Sequence, residues 1–245
     1  MKALILRLDA PLLSFGTVIV DQHGFTDLFP GISMLTGMIG NALGWEHNDF
    51  ERLTQLQNRL DFAARWDVAP RPLLDYHTVD LGSAKMASPG WTTRGEPEHR
   101  AGGRAARYGT HQRYRHYLAD GLMTIALGLV GEGELDLCDV KAGFDRPARP
   151  LFVGRKTCLP ARKMVDPINP LQEGKNLLRI LCSVPVWDRG GEVTEHQGPL
   201  HMCWTPLDGV DVSGESRIVY DLRDWKNQLP AGGRIRLEGM LEVNI

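Results

Sequence analysis

Two strand-like runs, "LLDYHTVDL" (residues 73–81) and "LMTIALGLV" (residues 122–130), flank a stretch in which apolar periodicity vanishes. Between Val79 and Tyr114 the chain carries six glycines, two prolines and most of a cluster of arginines. Nothing there offers a face that a helix or strand would bury. A span of that length without a pattern of its own is an excursion from a packed body. Whatever this chain folds into must therefore be a core that tolerates a long insertion.

The rest of the chain supplies that core. Its 245 residues, 42% of them apolar, suffice for one large domain or two small ones. "KALILRL" predicts a buried strand near the start. "SMLTGMIGNALGW" predicts a helix with Ser33 as N-cap and Leu35, Met38, Ile39, Ala42 and Leu43 on one face. Asp49 predicts the cap of a second helix, "FERLTQLQNRL", whose inner stripe is Phe50, Leu53, Leu56, Gln57 and Leu60. "FAARWDV" reads as a strand and "ELDLCDVKAGF" as a short helix. "LLRILCSVPVW", "SRIVYDLR" and "RIRLEGMLEVNI" read as three further strands. The order indicates an α+β fold, best matched by a ferredoxin-like, RRM-type core with a β-rich C-terminal portion. Sheets of that type commonly bind single-stranded RNA on one face, an analogy of fold alone.

Charge is unevenly spread. Residues 85 to 116 carry seven cations against Glu96 and Glu98, a surplus of +5. Residues 146 to 163 carry Arg146, Arg149, Arg155, Lys156, Arg162 and Lys163 against no carboxylate, a surplus of +6. With the whole chain at −2, everything else sums to −13. Two basic segments on an acidic body suggest a footprint for a polyanion, although basic loops also serve solubility alone.

In the second segment the centre is "FVGRKTC". Gly154 allows close backbone approach, and Arg155, Lys156 and Thr157 would meet a phosphate with charge and a hydroxyl. Pro150 and Pro160 stiffen the flanks. A solvated hairpin tip is the plainer alternative. In the first segment, "RYGTHQRYRHYLADG" interleaves Arg107, Tyr108, His111, Arg113, Tyr114, Arg115, His116 and Tyr117. That composition suits guanidiniums on phosphates and rings on bases. It also permits packing of Tyr114 and Tyr117, or a metal-independent ribonuclease site built on His111, Tyr114 and His116. His77, in "DYHTVD", reads as a packed strand residue, a hydrogen-bond donor or a stacking ring rather than a general base.

Other chemistries find no support. "PGISMLTGMIGNALG" lacks GxxxxGK[ST], so its glycines serve close helix packing, although the helix N-terminus near Ser33 offers N–H groups to a phosphate. No HExxH, GxSxG, paired-carboxylate or dinucleotide fingerprint occurs, which favours binding over catalysis and predicts neither metal nor cofactor. Cys138, Cys158, Cys182 and Cys203 form no CxxC pair and read as reduced thiols of a cytoplasmic protein. Arg7 and Asp9 interrupt the first apolar run, so it does not read as a signal peptide, and no run is long enough to span a bilayer.

In order, "LILRLDAPLLSFG", "ISMLTGMIGNALG", "LLDYHTV", "RYRHYLADG" and "RPLFVGRKTCLP" resemble the CasD family, the Cas-five-type subunit of type I-E CRISPR Cascade complexes. The resemblance covers residues 1 to 165, and the C-terminal eighty residues match little of it. It implies a ferredoxin-like core with a projecting β-hairpin thumb, here about 81–112, and a C-terminal portion, 166–245, packed on that core. It also implies binding of the 5′ handle of the CRISPR guide RNA, capping of the backbone filament, and contacts with the Cascade backbone subunit and the large PAM-reading subunit. Target DNA would be met only indirectly and a membrane not at all. The subunit would be non-catalytic, since a separate endoribonuclease cuts the repeat, whereas a related type I-C branch does cut it. Ser14, Phe15, Gly16 and Thr17 align with the loop after the first strand, and Gly154, Arg155 and Lys156 with the handle-binding turn. His77, Thr78, Arg104, Arg107, Tyr108, His111, Arg113 and Arg115 fall in or beside the thumb. "PGWTTRGEPEHRAGGRAA" makes this thumb longer than the family pattern.

Overall fold

The computed structural model describes residues 1–17, 19–80, 110–206, 212 and 214–243. The N-terminal half contributes strands β1 (Lys2–Asp9), β2 (Leu12–Leu13) and β3 (His23–Gly24) and helices α1 (Ile32–Ala42) and α2 (Phe50–Arg59). Strands β4 (Leu60–Val68), β5 (Arg71–Asp80), β6 (Thr110–Ala119) and β7 (Leu122–Leu129) follow, then helix α3 (Leu137–Asp145). The remainder holds β8 (Leu171–Glu173), helix α4 (Leu177–Ser183), β9 (Leu200–Trp204), β10 (Glu215–Val219) and β11 (Arg234–Leu241).

The body is a seven-stranded sheet in the order β8-β1-β7-β4-β9-β11-β10, with every neighbouring pair antiparallel. Strand β1 shows why its run is apolar throughout, because both its faces are covered. Leu4, Leu6 and Leu8 pack with Phe62, Met123, Ile125, α1 and α3 on one side. Ala3 and Ile5 pack with Ala63, Ala126 and α4 on the other. Alternation at period two sends successive residues into the two layers. The protein is thus mixed α/β, mostly antiparallel and sparing in helix. None of the helices among the described residues is long and apolar enough to cross a membrane.

Two expectations need correction. "LLRILC" is the helix α4, not a strand, and its Asn176 side chain caps it by accepting from the Arg179 N–H at 2.9 Å. The run was ambiguous because a short, mostly apolar segment is too brief to tell a helix from a buried strand by period. It leaves the helix at Val184 and Pro185, after which Val186–Trp187 is a short strand. Ser33 does not cap α1, because Gly31 holds that position. The cap comes from far away in sequence. The Asp221 carboxylate accepts the Ile32 N–H at 3.0 Å, and its carbonyl accepts the Ser33 N–H at 2.9 Å. Arg234 holds that carboxylate at 2.9 Å. An anion of the chain itself therefore sits on the N–H groups expected to meet a phosphate. Asp49 does hold the N-cap position of α2, as expected, but its carboxylate accepts the Glu46 N–H at 2.7 Å and none from the helix.

On the α4 face, charge is buried. Arg7 and Arg65 both reach Asp67, at 2.9 and 2.7 Å, and all three side chains are at most 1% exposed. Thr124 and the Trp187 N–H also donate to Asp67, and Arg7 reaches Asp166 at 2.9 Å. Arg65 further donates to the carbonyls of Leu181 and Val184, at 2.8 and 3.0 Å. This network ties β1, β4 and β7 to the α4 segment and satisfies every charge it buries.

Candidate nucleic-acid interface

Strands β5 and β6 pair antiparallel over their full length, from Arg71 opposite Ala119 to Asp80 opposite Thr110. The strand runs on either side of the long excursion therefore meet as one hairpin. On its other edge β6 takes β2, antiparallel at Ala119 and Leu118, and β3, parallel at Tyr114 and Arg115. Alternation along β6 sorts its interleaved residues. Arg113, Arg115 and Tyr117 point to one face of the hairpin, and Tyr114 and His116 to the other.

The first face meets the turn after Val153. Arg155 donates to the carbonyls of His116 at 2.9 Å and of Gly24 at 2.7 Å, and its guanidinium lies 4.8 Å from the Tyr117 ring centroid. The turn is closed by the Cys158 N–H on the Arg155 carbonyl and the Val153 N–H on the Cys158 carbonyl, both 2.8 Å. Burial is the main cause that pushes the Cys158 thiol up, so it stays protonated and inert. Gly154 sits at φ 101°, and a Cβ on it would stand 1.7 Å from the Ser14 carbonyl oxygen. The glycine expected to admit a ligand instead admits the chain's own loop, whose Ser14 N–H bonds the Val153 carbonyl at 3.1 Å.

Between turn and hairpin lies a cavity of about 640 Å³, lined by Ile19, Gln22, Gly24, Arg113, Tyr114, Arg115 and residues 154–157. Arg113, Arg115, Lys156 and Thr157 are exposed around it. Arg113 touches the Asp21 carbonyl at 3.1 Å, and the Thr157 hydroxyl lies 3.3 Å from that of Tyr117. Lys156 has no ion-pair partner among the described residues. Asp75 and His77 lie opposite Arg115 and Arg113 on β5, and the Asp75 carboxylate bonds the His77 ring. Four cations against one carboxylate make this a local well for an anion.

The remaining expected residues divide. Ser14 and Phe15 are 1% exposed, and Phe15 packs in the core 6.2 Å from the Trp66 ring, so neither meets a ligand as placed. Gly16 and Thr17 are exposed, Thr78 is exposed on β5, and His111 is exposed near the start of β6. Arg104, Arg107 and Tyr108 lie outside the described residues. Ser33 is engaged by Asp221, as described above.

Sequence reasoning missed the second face of the hairpin. There His23 of β3 stacks on Tyr114 at 4.6 Å with planes 8° apart, and on Phe25 at 5.4 Å with planes 11° apart. Phe25 lies 4.8 Å from His116, and Tyr76 lies 5.0 Å from Tyr114. The available signal was the two-residue step from Tyr114 to His116, matched by Tyr76 on the partner strand. His23 and Phe25 sit in a loop with no apolar period to mark them.

Fold and site define a mixed α/β protein with a cationic pocket at the base of a long hairpin. The chain belongs to the Cas5 family of CRISPR-associated proteins, since the family model described as CRISPR-associated protein (Cas_Cas5) matches residues 3–236. A curated relative, the CRISPR system Cascade subunit CasD of Escherichia coli (strain K12), is 30% identical over 163 residues. That match spans 63% of this chain and 66% of the relative, slightly under two thirds of its length. Among solved structures, a chain of a CRISPR RNA-guided surveillance complex is similar at TM-score 0.68 and 21% identity, over 98% of this chain and 90% of that one. A crystal structure of a Cas protein is similar at TM-score 0.61 and 20% identity, over 98% and 95%. These two likenesses are of fold.

Proposed function

We propose that this chain is a non-catalytic, RNA-holding subunit of a type I CRISPR Cascade complex, cytoplasmic, binding the 5′ handle of the guide RNA at the end of the backbone filament. On this reading the core is ferredoxin-like, residues 81–112 form the thumb, and residues 166–245 pack on the core at 1–165. The backbone subunit and the large PAM-reading subunit are its neighbours. One observation carries the reading. Two basic segments about forty residues apart, holding Arg113 and Arg115 on one side and Arg155 and Lys156 on the other, line a single cavity. Phosphates are the ligand that such a pocket fits best.

Within that pocket the cations have different tasks. Arg155 is a strut between β3 and β6, while Arg115 and Lys156, exposed and without an ion-pair partner among the described residues, meet phosphate oxygens. The test is binding of the purified chain to labelled guide RNA across a salt series. An Arg115→Ala, Lys156→Ala double variant should bind more weakly and with a shallower salt dependence. Unchanged affinity in that variant overturns the site. The ribonuclease alternative on His111, Tyr114 and His116 finds less support, because alternation puts His111 on the opposite face of β6 from the other two.

A further inference from the structure

The second face of the hairpin carries a ladder of rings in the order Tyr76, Tyr114, His23, Phe25, His116, each within 5.4 Å of the next. Such ladders in a protein interior end against other side chains. This one does not, because Tyr76 is 50% exposed, Phe25 39% and the neighbouring Leu74 53%. The rings are held in place from three strands, since β5 supplies Tyr76, β6 supplies Tyr114 and His116, and β3 supplies His23 with Phe25 just after it. Tyr114, His23 and Phe25 are near-parallel, and the two outer pairs are tilted by 30° and 33°. A preformed stack with Tyr76 exposed at one end and Phe25 exposed along it costs little ordering when a further flat ring joins it.

Resting on the RNA-binding reading above, we propose that this ladder is a stacking surface for unpaired bases of the same strand whose phosphates lie in the cationic pocket. The two faces are one backbone layer apart, so a strand that rounds the outer edge of β3, the last strand of that sheet among the described residues, presents phosphates to Arg115 and Lys156 and bases to Phe25 and Tyr76. A nucleobase is the occupant that this chemistry selects. Among the described residues, that face of β5 and β6 offers π-faces and no lysine or arginine, and the neighbouring face supplies charge for a polyanion. Stacking of this kind tolerates sequence, because every base has a π-face.

The experiment uses the full chain and a short single-stranded RNA, alongside the same strand with its bases removed to leave abasic riboses. Tyr76→Ala and Phe25→Ala, both at exposed positions, should each weaken binding of the intact RNA by about tenfold. Their salt dependence should match that of the unaltered chain, and Tyr76→Phe should restore binding. On the abasic strand the alanine variants and the unaltered chain should bind alike. If the alanine variants bind intact RNA as well as the unaltered chain, or lose affinity equally for the abasic strand, the ladder is not a base-stacking surface. That result leaves the RNA-binding reading intact provided the Arg115→Ala, Lys156→Ala variant is weakened. If the unaltered chain does not bind the RNA at all, both readings fall.

Discussion

The guanidinium of Arg155 fills the space in which residue 24 would carry a side chain: a Cβ on Gly24 would stand 2.7 Å from Arg155 Nη2. The same nitrogen donates to the Gly24 carbonyl at 2.7 Å, so β3, β6 and the turn are locked around one charged group. Gly24→Ala should push Arg155 off both carbonyls and cost about 1–3 kcal/mol. Arg155→Ala should cost about 2–4 kcal/mol, and the double variant should cost much less than the two together, because the second change removes what the first already displaced. Chemical denaturation of the four proteins in this cycle checks the coupling, and strict additivity would count against the lock.

Arg155 and Lys156 are neighbours with separable effects. Arg155→Ala removes two charge-assisted bonds to carbonyls and a contact with the Tyr117 ring, so it should lower stability by about 2–4 kcal/mol. Lys156→Ala touches an exposed side chain and should stay within about 0.5 kcal/mol of the parent. The order reverses for RNA, where Lys156→Ala should reduce the slope of log K against log salt by about one. Melting curves and salt titrations on the two single variants separate the roles.

Asp67 is the hub of the buried network. Asp67→Asn leaves Arg7 and Arg65 without their shared countercharge at a site closed to water. The expected loss is about 3–5 kcal/mol, read as a lower denaturation midpoint with little change in slope.

His201, on β9, faces Glu238 at 4.0 Å, the Phe29 ring edge-on at 5.0 Å, and the charges of Arg236 and Arg217. Burial is the largest influence and holds its imidazole below the usual histidine range, with Glu238 pulling the other way. A base whose folded value is depressed favours the unfolded chain once protons are available. Its contribution is full above the ordinary value near about 6.5 and fades as pH falls through the lower folded value. Melting temperature should therefore drop with acidification through that window, and His201→Gln should flatten the drop. An unchanged pH profile in the variant would remove His201 from the cause.

What the sequence made legible were patterns a single element writes by itself. The runs at β1 and β7, the Leu53, Leu56 and Gln57 stripe of α2, and the runs at β10 and β11 were read in place, although Leu60, expected on that stripe, begins β4. What it hid were relations between distant segments. The cap of α1 comes from Asp221, 189 residues on from Ile32. Gly154 lets the Ser14 loop approach closely, and Arg155, one of the six cations of the second basic segment, donates to the carbonyls of His116 and Gly24. The α4 run failed for another reason, because seven residues, five of them buried, are too few to write a period that tells helix from strand. The ring ladder needed three strands at once, and no local window contains them.

The order of the seven-stranded sheet also governs how this chain is made. Strand β4 is flanked by β7, a near neighbour in sequence, and by β9, whose pairs Met202↔Arg65 and Cys203↔Ala64 arrive well over a hundred residues later. Until β9 emerges from the ribosome, the nascent protein holds a raw strand edge beside its largest apolar layer, an invitation to stick to a second unfinished copy. Synthesis must outrun that encounter, or a chaperone must shield the edge, before the late strands close it.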